Sequence, residues 1–430
     1  MTDNKKYNIF WFRRDLRIED NNGFYQALTA NKKTIPIFIL DPNILNQFDC
    51  TTDKRLAYII QKISELKHTI NLQIFYDTPA NVFQYLTSSY SIETVFTNTD
   101  YEPQAIIRDQ QIKNLLLEKN IFFKSFKDQV IFHENDILKN DGTPYTVFTP
   151  YSKKWKEAFF AKSLEYYPSE NLISNIFNDN ISDIHLDKLP FYSSLETVEE
   201  NINEQIVQDY DKTRDFPFLN GTTELATALR FGTISVRKCV EIASKLNQTW
   251  LNELIWREFF MQILFHFPQV TKQCFKPKYE NIPWRNNEDE FKLWCKGKTG
   301  YALVDAGMRQ LNQTGKMHNR VRMVVASFLC KHLLIDWRWG EAYFAQKLLD
   351  FDLSANNGNW QWAAGCGCDA APYFRVFNPY EQTKKFDPKL IYIKKWVKEY
   401  TDFYESTPIV EHKFARERAI NTYKKALNNL

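Results

Sequence analysis

Tyr7–Phe12 reads YNIFWF and Thr34–Leu40 reads TIPIFIL, two short apolar runs rich in aromatic and β-branched residues. Runs of this length without polar alternation are strands buried on both faces, as in a parallel sheet covered by helices. Leu72–Tyr76 (LQIFY), Thr94–Thr97 (TVFT) and Phe122–Phe126 (FFKSF) continue the series. Arg55–Leu66 and Pro103–Glu118 lie between them with helical periodicity. Strand and helix in alternation predict an α/β domain with a parallel sheet. No GxGxxG or GxxxxGK[ST] follows any strand, which argues against a nucleotide held by those loops.

Outward from this region the pattern changes twice. From Phe132 to Asn203 it breaks up, punctuated by Gly142, Pro144, Pro150, Pro168 and Pro190 and by the polar run Asn175–Ser182, and reads as a surface connection. From Glu204 onward helical spacing dominates, at Leu251–Phe260, Tyr301–Gln313, Arg320–Leu334 and Gly340–Leu349. The expected organisation is therefore an α/β domain over 1–131, a connector over 132–203 and an all-α domain over 204–430.

Composition narrows the function classes. At 430 residues the chain is too long for one core. Its net charge of +3 is too mild to announce nucleic acid, so DNA contact would need a local patch. Seven cysteines without a CxxC pair point to a reducing compartment and a cytoplasmic protein. Cys366-Gly367-Cys368 has no further Cys or His at ligand spacing, so no metal is expected. No apolar run approaches the length of a membrane span, and the N-terminus opens directly into a strand. Aromatic residues reach 16%, enough for a thick core or for rings that face a planar ligand.

Three stretches of the helical half differ from ordinary core. In Tyr210–Gly232 (YDKTRDFPFLNGTTELATALRFG), Gly221-Thr222-Thr223 precedes a helix, so its hydroxyls and free N–H groups suit a phosphate or an ordinary N-cap. In Asn252–Phe260 (NELIWREFF), Glu253 and Trp256 share a helix face, where they could hydrogen-bond and stack a base or simply face solvent. In Asp350–Gly365 (DFDLSANNGNWQWAAG), a glycine beside two indoles suggests close approach to a flat group. The asparagines there need partners, which a heteroaromatic ring would supply.

With FWFRRDLRIEDN at Phe10–Asn21, YTVFTPYSKKW at Tyr145–Trp155, GYALVDAGMRQLNQTGKMHNRVRM at Gly300–Met323 and NPYEQTKKFDP at Asn378–Pro388, these stretches resemble the photolyase/cryptochrome family nearly end to end. The resemblance is strongest to its class I cyclobutane pyrimidine dimer branch. It implies an α/β antenna domain and a helical domain holding FAD, reduced when active. It further implies light-driven repair of DNA by electron transfer to a flipped-out dimer. By the same resemblance Tyr210, Thr222, Thr223, Glu224, Leu225 and Ala226 hold the diphosphate side of FAD. The family often has serine where Ala226 stands. Arg322, Asp350, Phe351 and Asp352 lie along the flavin, and Asn356 faces its titrating nitrogen. Trp256 and Trp362 grip the dimer, Glu253 and Asn319 bond its pyrimidine edges, and Met323 lines the pocket. Arg214, Arg320 and Gln382 take DNA-contacting positions, with Lys384 and Lys385 nearby. Trp360, Trp337 and Trp284 match an electron relay to the surface.

Two rival readings are a cryptochrome-type light receptor with FAD and no repair, and a flavin-free DNA-binding module. Plant cryptochromes carry an acidic residue at the Asn356 position and tyrosine at that of Trp362, unlike this chain. His318-Asn319 differs from the paired histidines of (6-4) repair. A second, antenna chromophore is left open. Folate-type relatives have Asn-Glu where Gln104-Ala105 stands, and Asp100 and Glu102 look more like the deazaflavin pattern. The expected partner is ultraviolet-damaged DNA, and the expected state a monomer.

Overall fold

A computed structural model describes residues 5–47, 52–181, 184, 186, 198–400 and 407–428. These form two compact units: one of residues 1–142, 153–202 and 224–245, the other of 143–152, 203–223 and 246–430.

The first unit is built on a parallel five-stranded sheet in the order β3-β2-β1-β4-β5. The strands are β1 (Tyr7–Phe12), β2 (Thr34–Leu40), β3 (Gln73–Tyr76), β4 (Ile92–Asn98) and β5 (Phe122–Phe126). All five expected strands are present. Central β1 is covered on both faces, because alternate residues belong to different cores: Phe10 and Phe12 pack with Phe24 and Leu56, Ile9 and Trp11 with Val82 and Ile112. That double burial is why its sequence is apolar throughout.

The chain runs outward from β1 to β3 and then returns to β4, so the carboxyl ends of β1 and β4 form a topological switch point. Arg14 follows β1 there, and Asp100 and Glu102 follow β4. Arg14 Nη1 lies 2.7 Å from Glu102 and 3.4 Å from Asp100, and Arg230 Nη1 donates to Glu102 at 3.0 Å. Burial alone would raise Asp100, but the charges of Arg14, Arg13 and Arg108 outweigh it and hold the carboxyl below its ordinary value.

The expected connector is not a separate layer. Residues 182–183, 185 and 187–197 of it, Pro190 included, lie outside the described residues. Much of the rest packs into the first unit: Trp155 is buried with its edge toward Phe132, Asn175 Nδ2 donates to Leu28 O at 3.0 Å, and Phe177 N to Thr34 O at 2.9 Å. It also contains a helix the punctuation concealed, Phe148–Phe160.

Residues 224–245, expected in the helical domain, belong to the first unit as well. The reason is a buried ionic network. Arg237 Nε donates to both carboxylate oxygens of Asp20 at 3.0 and 2.8 Å, and its Nη2 to Asp128 at 2.8 Å; Arg17 Nη2 reaches the same Asp128 at 2.8 Å. Gly232 is left-handed at φ 65°, and a Cβ on it would sit 2.2 Å from Arg14 O, so only glycine passes there. The charged motif at Phe10–Asn21 is thus a structural clamp.

The second unit is helical. Its main elements are Gln248–His266, Ala302–Thr314, Asn319–Ser327, Trp337–Lys347, Leu353–Ala364, Pro379–Phe386 and His412–Asn428. The expected helix Arg320–Leu334 is regular only to Ser327. It then widens into a π-turn over Phe328–His332, and Leu334 is left-handed at φ 50°. No described helix is long and apolar enough to cross a membrane.

Candidate functional site

Helices Gln248–His266 and Leu353–Ala364 carry the residues singled out by sequence. They approach closely because Gly358 faces Phe260: a Cβ on Gly358 would lie 2.2 Å from that ring. The ring of Phe260 is thus one flat group that this glycine admits at close range. The neighbouring asparagines likewise find protein partners. Asn357 Nδ2 donates to Val270 O at 3.1 Å, Asn359 Nδ2 to Ala355 O at 2.8 Å, and Asn356 Nδ2 to Glu341 O at 3.1 Å.

Trp256 and Trp362 come together. They line one shallow recess with Phe260, Gly358, Gly367, Cys368, Asp369 and Ala370. The Arg375 guanidinium lies 5.9 Å from the Trp362 ring centre.

Beside Trp256 on the same helix, the Glu253 carboxylate is bonded to Arg214 Nη1. Asp215 lies 3.9 Å from Arg214 Nε and is bonded to Arg320 Nη2. The sequence expectation placed Arg214 and Arg320 on a DNA-facing rim. Here they alternate with Glu253 and Asp215 in a four-residue charge chain. Burial works against the Arg214 charge, but Glu253 and the other acidic neighbours outweigh it and raise the guanidinium above its ordinary value. Arg214 also sits 5.7 Å over the Tyr210 ring, whose hydroxyl is pushed up by burial and then by Glu253. Sequence reasoning passed over Asp215 because its partner is 105 residues away.

His318 caps Asn319–Ser327 by accepting the Arg320 N–H on Nδ1 at 3.2 Å. Burial, with the Arg320 and Arg322 charges, lowers it to about 4, so it is neutral at pH 7. Asn319, the first residue of this helix, is exposed, and Met323, one turn on, is partly buried with its sulfur 3.8 Å from Arg320 Nη1. Gln382 lies partly exposed on Pro379–Phe386, while Lys384 is paired with Glu381 at 2.9 Å and Lys385 lies 5.1 Å from the Phe386 ring.

Among the expected cofactor residues, Arg322 Nη2 holds both oxygens of Asp350 at 3.1 and 2.9 Å. Phe351 follows, partly buried, and Asp352 caps Leu353–Ala364 by accepting the Ala355 N–H at 3.1 Å. Asn356 is buried; because its NH₂ is committed to Glu341 O, its carbonyl is left to accept from a ring N–H. Glu341, raised by burial, is a neighbour that sequence reasoning missed. Gly221 is fixed against Thr213, whose Oγ1 donates to Gly221 O at 2.8 Å, and Thr222 and Thr223 follow half-buried. In the first unit Glu224 is left-handed at φ 52°, a conformation that a non-glycine residue rarely adopts. Leu225 then stands at the N-cap of Ala226–Phe231 without a side-chain cap. The expected Thr-capped helix start is therefore displaced: neither threonine is the cap.

Trp360 and Trp337 are buried and Trp284 partly so. Trp360 lies against Gly340, where a Cβ would come within 2.1 Å of the indole, and against Phe344 at 5.1 Å. Trp284 meets Tyr423 edge-on at 5.9 Å.

Family models for DNA photolyase and for the FAD binding domain of DNA photolyase match residues 8–169 and 250–424. The chain is 36% identical to a deoxyribodipyrimidine photo-lyase of Vibrio cholerae, over 97% of this chain and 99% of that one. It is 33% identical to one of Escherichia coli, over 97% and 98%. A class III photolyase of Agrobacterium tumefaciens superposes with a TM-score of 0.87 at 29% identity, covering 99% of this chain and 98% of that one. An archaeal photolyase of Sulfolobus tokodaii with two FAD molecules superposes at 0.80 and 31% identity, covering 97% and 100%. The protein belongs to the DNA photolyase family.

Proposed function

We infer that this protein is a deoxyribodipyrimidine photo-lyase: it binds FAD and uses light to split pyrimidine dimers in damaged DNA. The observation that carries this is near full-length similarity to enzymes of that name, with both halves matched by photolyase models. When bound and reduced, FAD supplies under blue or near-ultraviolet light the electron that opens the cyclobutane ring and takes it back.

The chain's own residues supply binding, orientation and electrostatics. The Asn356 carbonyl fits a flavin ring N–H, and as a neutral amide it offers that ring no ready proton. Arg322 and Asp350, which neutralise each other, would hold the flavin together with Phe351 and Asp352. Tyr210, Thr222, Thr223, Glu224, Leu225 and Ala226 take the diphosphate side, through hydroxyls and backbone N–H groups. Trp256 and Trp362 stack the flipped dimer in the recess they share. Glu253 and Asn319 bond its edges, Met323 lines its pocket, and Arg214, Arg320 and Gln382 steer the surrounding strand. The charge chain through Asp215 holds the two arginines in place for this. Trp360, Trp337 and Trp284 would serve as the oxidisable rings through which an electron could reach a bound flavin. The antenna, connector and catalytic roles follow the division 1–131, 132–203 and 204–430, although the compact units divide elsewhere. A second chromophore in the antenna part is compatible with Asp100 and Glu102 at the switch point. The enzyme acts as a cytoplasmic monomer, and its described cysteines are free thiols.

The test is direct. Purified protein, yellow with flavin and then reduced, should split a thymine-dimer oligonucleotide under blue light and not in the dark. An intact oligonucleotide at full flavin occupancy would transfer the protein to the cryptochrome reading.

A further inference from the structure

The motif at Tyr145–Trp155 has no task in the mechanism above, yet it delivers an aromatic ring to the recess. Phe148 lies flat on the Trp256 indole, ring centres 3.7 Å apart and planes within 6°. Aromatic pairs usually meet edge-on or offset at 4.5–7 Å, so a parallel pair this close covers one indole face. Phe259 stands edge-on to both rings, 5.9 Å from Phe148 and 5.6 Å from Trp256. Phe148 opens the helix Phe148–Phe160, and its N–H donates to Asp369 Oδ2 at 3.0 Å. Asp369 lines the recess beside Trp256; Phe148 does not. The phenyl ring therefore covers one face of the indole, and Asp369 ties the start of its helix to the recess.

We propose that Phe148, pinned by Asp369, is a positioning residue that fixes the plane of Trp256 for stacking the flipped pyrimidine dimer and so sets discrimination between damaged and undamaged DNA. This rests on the reading that Trp256 stacks the dimer. With Phe148 and Phe259 against it, the indole reaches the bound state with little orientation left to lose, and preorganisation of that kind favours binding. The contrary arrangement, in which Phe148 occupies the seat of the base and must leave, predicts the opposite sign.

The experiment measures, in the dark and on FAD-loaded protein, the Kd for a thymine-dimer duplex and for the same duplex undamaged. The variants are Phe148→Leu, Phe148→Tyr, Trp256→Ala and the double variant Phe148→Leu/Trp256→Ala. Phe148→Leu should weaken dimer binding about 5- to 20-fold, part of what loss of a stacking ring costs, with undamaged DNA within about twofold. Phe148→Tyr should restore it, and Phe148→Leu should add nothing to Trp256→Ala. Unchanged or tighter dimer binding, or equal loss on both duplexes, overturns the proposal. If Trp256→Ala itself leaves dimer binding unchanged, the stacking role of Trp256 fails first. Should Phe148→Leu not fold, judged by flavin content, Phe148→Met is measured by the same criteria.

Discussion

Replacing Glu253 by alanine separates a base-reading carboxylate from a merely structural one. Glu253 is bonded to Arg214, with side chains 33% and 25% exposed, and without it Arg214 would keep Asp215 at 3.9 Å and the Tyr210 ring at 5.7 Å. An exposed pair contributes about 0–1 kcal/mol and breaking a fully buried one costs about 3–5 kcal/mol, so this partly screened pair should cost about 1–2 kcal/mol. In a chain of this size that lowers Tm by no more than about 4 °C. A carboxylate that also accepts from a pyrimidine edge has a second effect. Loss of a charge-assisted hydrogen bond, about 1.5–3 kcal/mol, should slow repair at subsaturating dimer about 10- to 150-fold. The assay follows dimer splitting under fixed illumination at several DNA concentrations, with flavin content and Tm measured in parallel. Flavin content should not change. Glu253→Gln, which keeps a hydrogen-bonding group but cannot neutralise Arg214, should fall between wild type and Glu253→Ala. Wild-type repair at every concentration, with the small Tm loss alone, would refute the role and leave Glu253 as a partner of Arg214 only.

Two further outcomes follow from the geometry. Trp360→Phe keeps a flat ring against Gly340 and Phe344 but is far harder to oxidise. Light-driven reduction of oxidised flavin with an external reductant should stop, while chemically reduced protein still repairs; reduction at the wild-type rate would remove Trp360 from the relay. Burial, with the His412 and Arg418 charges, lowers His332 to about 3, and His332 Nε2 lies 2.9 Å from His412 Nδ1. His318 is lowered to about 4 and His412 is lowered too. The unfolded chain takes up protons near pH 6.5 that the folded chain refuses, so stability should fall as pH drops from about 6.5 toward 4. Denaturant melts across that window should show a shallower slope for His332→Gln, and an unchanged slope would contradict the assignment.

The parallel sheet was legible in the sequence because its signal is local. Each strand is a short apolar run, and burial on both faces removes the polar alternation that would blur it. The two indoles and the Glu253–Trp256 face were legible for a similar reason, since helical spacing places such residues side by side. The helix Phe148–Phe160 was not, because Gly142, Pro144 and Pro150 read as loop, although Pro150 is tolerated in the helix's first turn.

What tertiary structure alone decided lies in contacts far apart along the chain. Asp20 meets Arg237 across 217 residues, which draws 224–245 into the first unit and turns the charged motif after β1 into a clamp. Arg320 finds Asp215 across 105 residues, and Phe148 finds Trp256 only when two helices meet. Periodicity carries a residue's environment only over a few turns or strand pairs. Which distant charge or ring completes that environment depends on packing. The sequence by itself determined the sheet, the helical half and the residue types of the site. Folding determined which of those residues pair, back one another or hold one another in place.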